Sequence, residues 1–428
     1  MTTTLVRARP AGSRTGYWPG VLAAALTTTV TVMPGFALGA FATAIEGDLH
    51  VSRTGVGLMI SIFYATTALS SPLAKRVAAR LPTPTVLAVA AVAACAAMLT
   101  VSRADDPATI TAALVAGGLG NGLVQPAVGR LIAAHVPGHR RSLAAGTVGA
   151  ALGATTLVPG LLVATVVPAH GWRAAMTIAA LIALVPAVLT PLTRTTPGPF
   201  PARAEHAATT TGTPRGVLAL WALAAALSAT GNNAVATYFV QLGTHSGLPA
   251  ALTGNLLSLS ALLAIAVRLV TGALTERAPC RNPAVITAMM LTGGLGLALI
   301  AIGTPATFVL GAALAFSAGW GWTGLLLAAT LRLVADRAEN AGHTVQIGIY
   351  TGAAIAPYTF AALSGAFGDS GAALISAAAG VAGAAAMTTG AVLSRRLEGD
   401  SSRRDAAPEP AAPVGALTCA DVGTARHR

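Results

Sequence analysis

Charge is what this sequence has least of. Asp, Glu, Lys and Arg make up 9% of the 428 residues, where a soluble domain carries roughly 25%. So few ionic groups cannot solvate a water-facing surface, and a wholly soluble fold is excluded. The 14 acids lie at the ends of apolar runs or between them, and none of the eight histidines sits centrally in a run. Chemistry inside a membrane needs a central acid pair, a His cluster or a nucleophile beside its base. The pattern therefore argues against an enzyme, and no catalytic residue is assigned. A strongly cationic ligand would also find no buried counter-charge. Cys95, Cys280 and Cys419 are far apart, with no CxxC, which excludes a disulfide framework and a cysteine-ligated metal site. No metal and no cofactor is expected. Lysine is nearly missing: Lys75 is the one lysine among 26 basic residues, a coding bias rather than a mechanism.

What the chain has is long apolar runs. A membrane-spanning helix needs about 20 mostly apolar residues. Breaking the chain at charges, prolines and polar clusters gives twelve such spans: 20–44, 54–74, 84–102, 108–134, 143–166, 173–194, 217–240, 252–275, 284–303, 306–333, 344–366 and 371–394. Runs this long without alternation argue against strands, so the expected class is all-α integral membrane. Arg7, Arg9 and Arg14 ahead of the first run mimic a secretory signal. That run exceeds the roughly 7–15 apolar residues of a signal, contains Pro34 and is followed by many like it, so it reads as a first span.

The net charge of +12 does not point to nucleic acid, because the cations are not gathered on amphipathic or aromatic-rich elements. They fall in the gaps between spans. With both termini cytoplasmic, Arg53, Arg103 and Arg173 lie in outer loops, Arg130 and Arg268 stay inside spans, and every other basic residue is cytoplasmic. This is the positive-inside pattern of a multi-pass protein in the cytoplasmic membrane.

The longest internal gap, 195–216, holds four prolines and the threonine run 209–211. It reads as a cytoplasmic linker between two six-helix bundles, 20–194 and 217–394. A cytoplasmic tail at 1–19 precedes them, and a Pro-, Ala- and charge-rich tail at 395–428 has the composition of a disordered segment. The halves echo each other. Spans two and eight start at 54 and 252, and spans four and ten at 108 and 306, an offset of 198 in both cases. Such repeats mark two-bundle transporters.

One basic turn carries a motif. Gly272-Ala273-Leu274-Thr275-Glu276-Arg277-Ala278-Pro279-Cys280-Arg281 resembles the G-x-L-x-D-R-x-G-x-R signature of the major facilitator superfamily, with Glu for Asp and Pro for Gly. The equivalent turn after span two keeps Arg80 but has Ala79 where the acid stands. Gly171-Trp172-Arg173 and the glycines from Gly118 to Pro126 are further family features, although Leu114 replaces the usual arginine. The stretch from Gly118 to Trp172 is similar to the cyanate and nitrate/nitrite-porter-like branch. The resemblance implies a monomeric twelve-helix carrier in the lipid bilayer. Its two bundles rock about a central site, driven by a proton or ion gradient or by the small-molecule substrate's own gradient.

In such a fold the site lies near the midplane between the halves. Candidates for substrate contact are therefore polar and aromatic residues near span centres: Phe36, Tyr64, Asn121, Gln125, Asn232, Asn233, Trp320, Trp322, Tyr350 and Tyr358. The alternative for each is interhelical packing. Arg268 is the sharper candidate, because an intramembrane guanidinium is costly and able to grip an anion; its alternative is a structural cation near a helix end. Glu46 and Asp48 are the acids nearest a transport path on the outer side. Gly149-xxx-Gly153 and Gly348-xxx-Gly352 are read as close-approach patterns. Arg80, Arg130, Glu276, Arg277 and Arg281 are candidate gate residues. Glu276 is expected to meet the start of span five, where Ser142 can cap, when the cytoplasmic side closes. The cargo is expected to be a neutral or anionic small organic solute, with export slightly preferred. Uptake of a small anion and a non-transporting receptor or scaffold are the alternatives.

Overall fold

The computed structural model describes residues 16–137, 140–194, 215–276, 282–333 and 338–405. Among these, every regular element is a helix. The linker 195–214, the turn 277–281 and the tail 406–428 lie outside the described residues, as does the N-terminal tail through residue 15.

The spans are Trp18–Ala40, Arg53–Arg80, Thr83–Arg103, Pro107–His135, a fifth that breaks at 154–156 into Arg141–Gly153 and Leu157–Thr165, then Val167–Leu189, Arg215–Thr237, Ala250–Glu276, Asn282–Ala301, Pro305–Leu333 and the long element Ala338–Asp405. Eleven described helices are long and apolar enough to cross a membrane. The last, Thr344–Leu397, has 54 residues. Unbroken, it would run about 80 Å, more than twice the bilayer's hydrocarbon core. It is not unbroken: Gly368 sits at φ 72°, ψ 170°, a region open essentially to glycine alone. The helix breaks there into spans eleven and twelve, so the described residues hold twelve spans. Span twelve then continues as helix to Asp405, so the first residues of the expected tail are helical.

Span one is shorter than the expected 20–44. It stops at Ala40, and a separate helix, Ala42–Leu49, follows, closed by His50 in the left-handed region (φ 53°). Span seven does the same: it stops at Thr237, Phe239–His245 follows, and Gly247 has φ 86°. His50 and Gly247 are 197 residues apart, as are Gly171 (φ 75°) and Gly368. The internal repeat is thus a repeat of backbone breaks.

We refer to the end where spans one and two meet as the Arg53 end, and to the opposite end as the Arg80 end. Within the halves, span four packs on two and three, span six on three, span seven on eleven and twelve, and span nine on ten and twelve. Between the halves, span two packs on eleven and span five on eight. At the Arg53 end both bundles share one apolar core, in which Phe36, Ile45, Phe63 and Trp172 join Tyr238, Phe239, Phe308 and Phe360. At the Arg80 end the cores are separate. One, with Val21, Leu87, Val128 and Leu131, belongs to the first half; the other, with Trp221, Met289, Trp322 and Met387, to the second. Leu69, Leu73, Val188, Leu259 and other large exposed side chains form the lipid-facing belt.

Candidate functional site: the seam between the bundles

The seam is built from the Pro34-Gly35 pair inside span one, where the helix continues unbroken. Pro34 removes a backbone donor from that helix, and Gly35 leaves room for span two: a Cβ there would meet the Phe63 ring and the Tyr64 hydroxyl at 3.1 Å. Phe36 packs edge-on against Tyr64, with centroids 6.1 Å apart, and reaches Trp320 of span ten at 5.5 Å. Phe316, one turn before Trp320, extends the cluster. The Tyr64 hydroxyl is buried with no hydrogen-bond partner among the described residues.

Arg268 enters the seam from span eight and is 7% exposed. Nε and Nη2 donate to the Trp320 carbonyl at 3.1 and 2.7 Å, and Nη1 donates across the seam to the Gly149 carbonyl of span five at 2.6 Å. The guanidinium also lies 5.9 Å from the Trp320 ring centroid. Gly153 makes space for it, since a Cβ there would meet Nη1 at 3.2 Å. Among the described residues no carboxylate pairs with Arg268. Carbonyl dipoles hold it, three contacts for five N–H donors, and its full charge faces no anion.

The remaining candidates fall in different places. Asn121 donates to Thr67 Oγ1 at 3.2 Å inside the first bundle, and Asn232 to the Gly319 carbonyl at 2.6 Å inside the second. Asn233 bonds back to Ala229 of its own helix. Trp322 is buried in the second bundle's own core, two residues and a half-turn away from the seam-facing Trp320. Gln125 is half-buried. Tyr350 is also half-buried. Tyr358 is 43% exposed on the outer surface; only its backbone N–H crosses the seam, to Ser61 Oγ at 3.1 Å. Arg130 donates to the Leu81 carbonyl at 3.5 Å within the first bundle, and Arg80 is exposed at the end of span two. Glu276 ends the span-eight helix; its side chain, together with Arg277 and Arg281, lies outside the described residues.

The Arg53 end holds a second cluster, which the sequence reading credited only with Glu46 and Asp48. Arg53 of span two pairs with Asp369 at the start of span twelve, Nη1 to Oδ1 at 2.6 Å. Ser364 and His245 also bond that carboxylate. The Arg53 guanidinium lies over Tyr238 (4.7 Å) and Phe360 (5.7 Å), and the Tyr238 hydroxyl donates to the Pro357 carbonyl at 3.0 Å. Gln241 Nε2 donates to Glu46 Oε1 at 2.9 Å. Within the first half, Trp172 Nε1 donates to Asp48 at 3.0 Å and Arg173 bridges Asp48 and Asp105. The hydrogen bond from Trp172, then that from Arg173, holds the Asp48 carboxyl below the usual carboxylate range. In sequence these residues are ordinary charged span ends. The 197-residue offset was the available signal, since it places Gln241 opposite Ala44 and makes the two short helices equivalent.

Twelve helices in two repeated bundles, joined at one end and carrying a cation and aromatic rings in the seam, define a secondary transporter of the alternating-access class. The chain belongs to the Major Facilitator Superfamily, whose family model matches residues 22–357. Among solved structures it is similar to a bacterial homologue of the human lysosomal transporter Spinster. In the inward-facing unoccupied form the TM-score is 0.63 at 15% identity, over 90% of this chain and 98% of that one. In the inward-facing occupied form it is 0.62 at 16%, with the same coverage. At that identity the likeness establishes the fold alone. Comparison with curated protein sequences gives no match.

Proposed function

We propose that this chain exports a small organic solute, anionic or neutral with an aromatic surface, across the cytoplasmic membrane, and that the structure represents its inward-open state. In this reading the Arg53 end faces outward and both termini are cytoplasmic, with the halves 20–194 and 217–394 as the rocking bodies. The observation that carries it is Arg268, buried between the bundles beside Trp320 and Phe36 with no anionic partner among the described residues. A solute carboxylate accepting its free N–H groups forms a charge-assisted, bidentate pair, the rings cover the solute's apolar face, and the Tyr64 hydroxyl supplies a further donor. Because Nη1 also spans the seam to Gly149, an anion that draws the guanidinium away loosens a cross-bundle contact. Binding and rocking are then linked.

The test is counterflow into proteoliposomes with a panel of aryl carboxylates, neutral arenes and permanently cationic arenes. The expected result is selective uptake of the first two. In Arg268→Gln, KM for carboxylates rises about tenfold to a hundredfold, the equivalent of about 1.5–3 kcal/mol for a hydrogen bond to a charged group, while neutral solutes are little affected. Preference for cationic compounds overturns the reading. The second reading, uptake of a small inorganic anion as the branch resemblance implies, rests on the same cation; flux of nitrate or cyanate with no response to the organic panel selects it.

A further inference from the structure

The Glu46–Gln241 contact has an incomplete hydrogen-bond inventory. Gln241 is 6% exposed, from the helix after span seven, and Nε2 donates to Glu46 Oε1 at 2.9 Å. Its other amide atom, Oε1, is buried and has no donor among the described residues. An unsatisfied buried carbonyl costs about 1–3 kcal/mol, and an ionised carboxylate, which only accepts, cannot satisfy it. A protonated carboxyl can: it accepts from Nε2 through one oxygen and donates from the other to Oε1, the cyclic acid–amide pair. The two residues come from opposite bundles, so the pair exists only while the Arg53 end is closed.

We propose that Glu46 is a proton-binding site that takes up one proton as the Arg53 end closes onto Gln241 and releases it to water as that end opens. The inference rests on the alternating-access reading. Burial pushes the Glu46 carboxyl above its usual range, against the hydrogen bond from Gln241 and the charge of Arg53. The charged and titratable groups around it are these. Arg53 is already paired with Asp369 and lies over the Tyr238 ring. Tyr238 packs on the same side. Asp48, on Glu46's own helix, is held by Trp172 and Arg173. His245, on Gln241's helix, bonds Asp369. Arg53 Nε and Nη2 are buried with no hydrogen-bond partner among the described residues; Asp48, Asp369 and His245 each have their own partner, and Glu46 has an amide. The sign follows: closed-state stability from this pair is present at low pH and is lost as pH rises through the closed-state pKa of Glu46.

The experiment uses spin labels at Gly47→Cys and Ala250→Cys, exposed sites on opposite bundles at this end, in full-length protein with its three native cysteines replaced by serine. Inter-label distances are recorded in lipid nanodiscs from about pH 5 to about pH 8. The open population is expected to grow with pH by at least tenfold. In Glu46→Gln, a permanently neutral isostere, it becomes independent of pH and mostly closed. His245→Asn leaves the response in place. Infrared spectra at neutral pH show a protonated carboxyl band that Glu46→Gln removes. Two populations that do not respond to pH, a response that survives Glu46→Gln, or a missing carboxyl band overturns the proton site while leaving the carrier intact. A single population at every pH overturns both.

Discussion

Asp369 accepts from three side chains on three elements: Arg53, Ser364 and His245. Its side chain is 18% exposed and that of Arg53 is 21%, so water screens the pair only in part. Asp369→Asn leaves Arg53 in a half-buried site with rings and no counter-ion. The expected cost to the closed Arg53 end is about 1–2 kcal/mol, below the figure for a fully buried pair, or roughly a tenfold larger open fraction. Distances between labels at Gly47 and Ala250 measure it; an unchanged distribution would show the pair to be idle. Neither residue stood out in the sequence, because a charge at the mouth of an apolar run is what every span end has. Arg268 did stand out, because a cation inside a run has no cheap explanation. Its two carbonyl partners, on Trp320 and Gly149, were not legible, since a carbonyl carries no sequence signature.

Helix boundaries were legible to within a few residues for most spans, because charges and prolines interrupt apolar runs where the chain leaves lipid. The breaks inside spans one, five and seven were not, because apolar sequence continues across Phe41, Ala154 and Tyr238. The glycine patterns were legible as close contacts but not as to which contact. Gly348 and Gly352 pack on the Ala222 and Ala226 carbonyls of span seven, within one bundle. Gly160 and Gly254 are among the glycines that do join the bundles, each of whose carbonyls lies 2.6 Å from the Cβ the other would carry. Ser258 Oγ of span eight donates to the Leu157 carbonyl of span five beside them at 3.0 Å. Gly160→Ala therefore wedges spans five and eight apart at the Arg53 end. Overpacking of this kind costs about 1–3 kcal/mol, borne by the closed state, since the contact is lost on opening. The expected outcome is a shift toward the state open at the Arg53 end with the melting temperature nearly unchanged, read by the same label pair and by thermal unfolding. A large fall in melting temperature with no shift in distances would place the strain in folding instead.

For the whole molecule, one shared core at the Arg53 end and two separate cores at the other describe a pair of bodies hinged at one mouth. Orientation in the membrane comes from the arginine distribution and is checked directly. A cysteine at Gly47 is expected to react with a membrane-impermeant maleimide in intact cells, and one at Ala79 only after permeabilisation; the reverse order would invert the transport direction proposed. The two-bundle plan was visible in the sequence through its repeat. The identity of the closed mouth was not, since closure depends on pairings between residues some 200 to 300 positions apart, Arg53 with Asp369 and Glu46 with Gln241.

Gly368 has a mechanical consequence. Span twelve starts at the residue after it, Asp369, and runs as one helix to Asp405, about 55 Å at the usual rise per residue. Only about 30 Å of that lies in hydrocarbon. The helix is thus a lever: its short arm ends on the Arg53 ion pair, its long arm stands clear of the membrane on the opposite side, and the bilayer is the fulcrum.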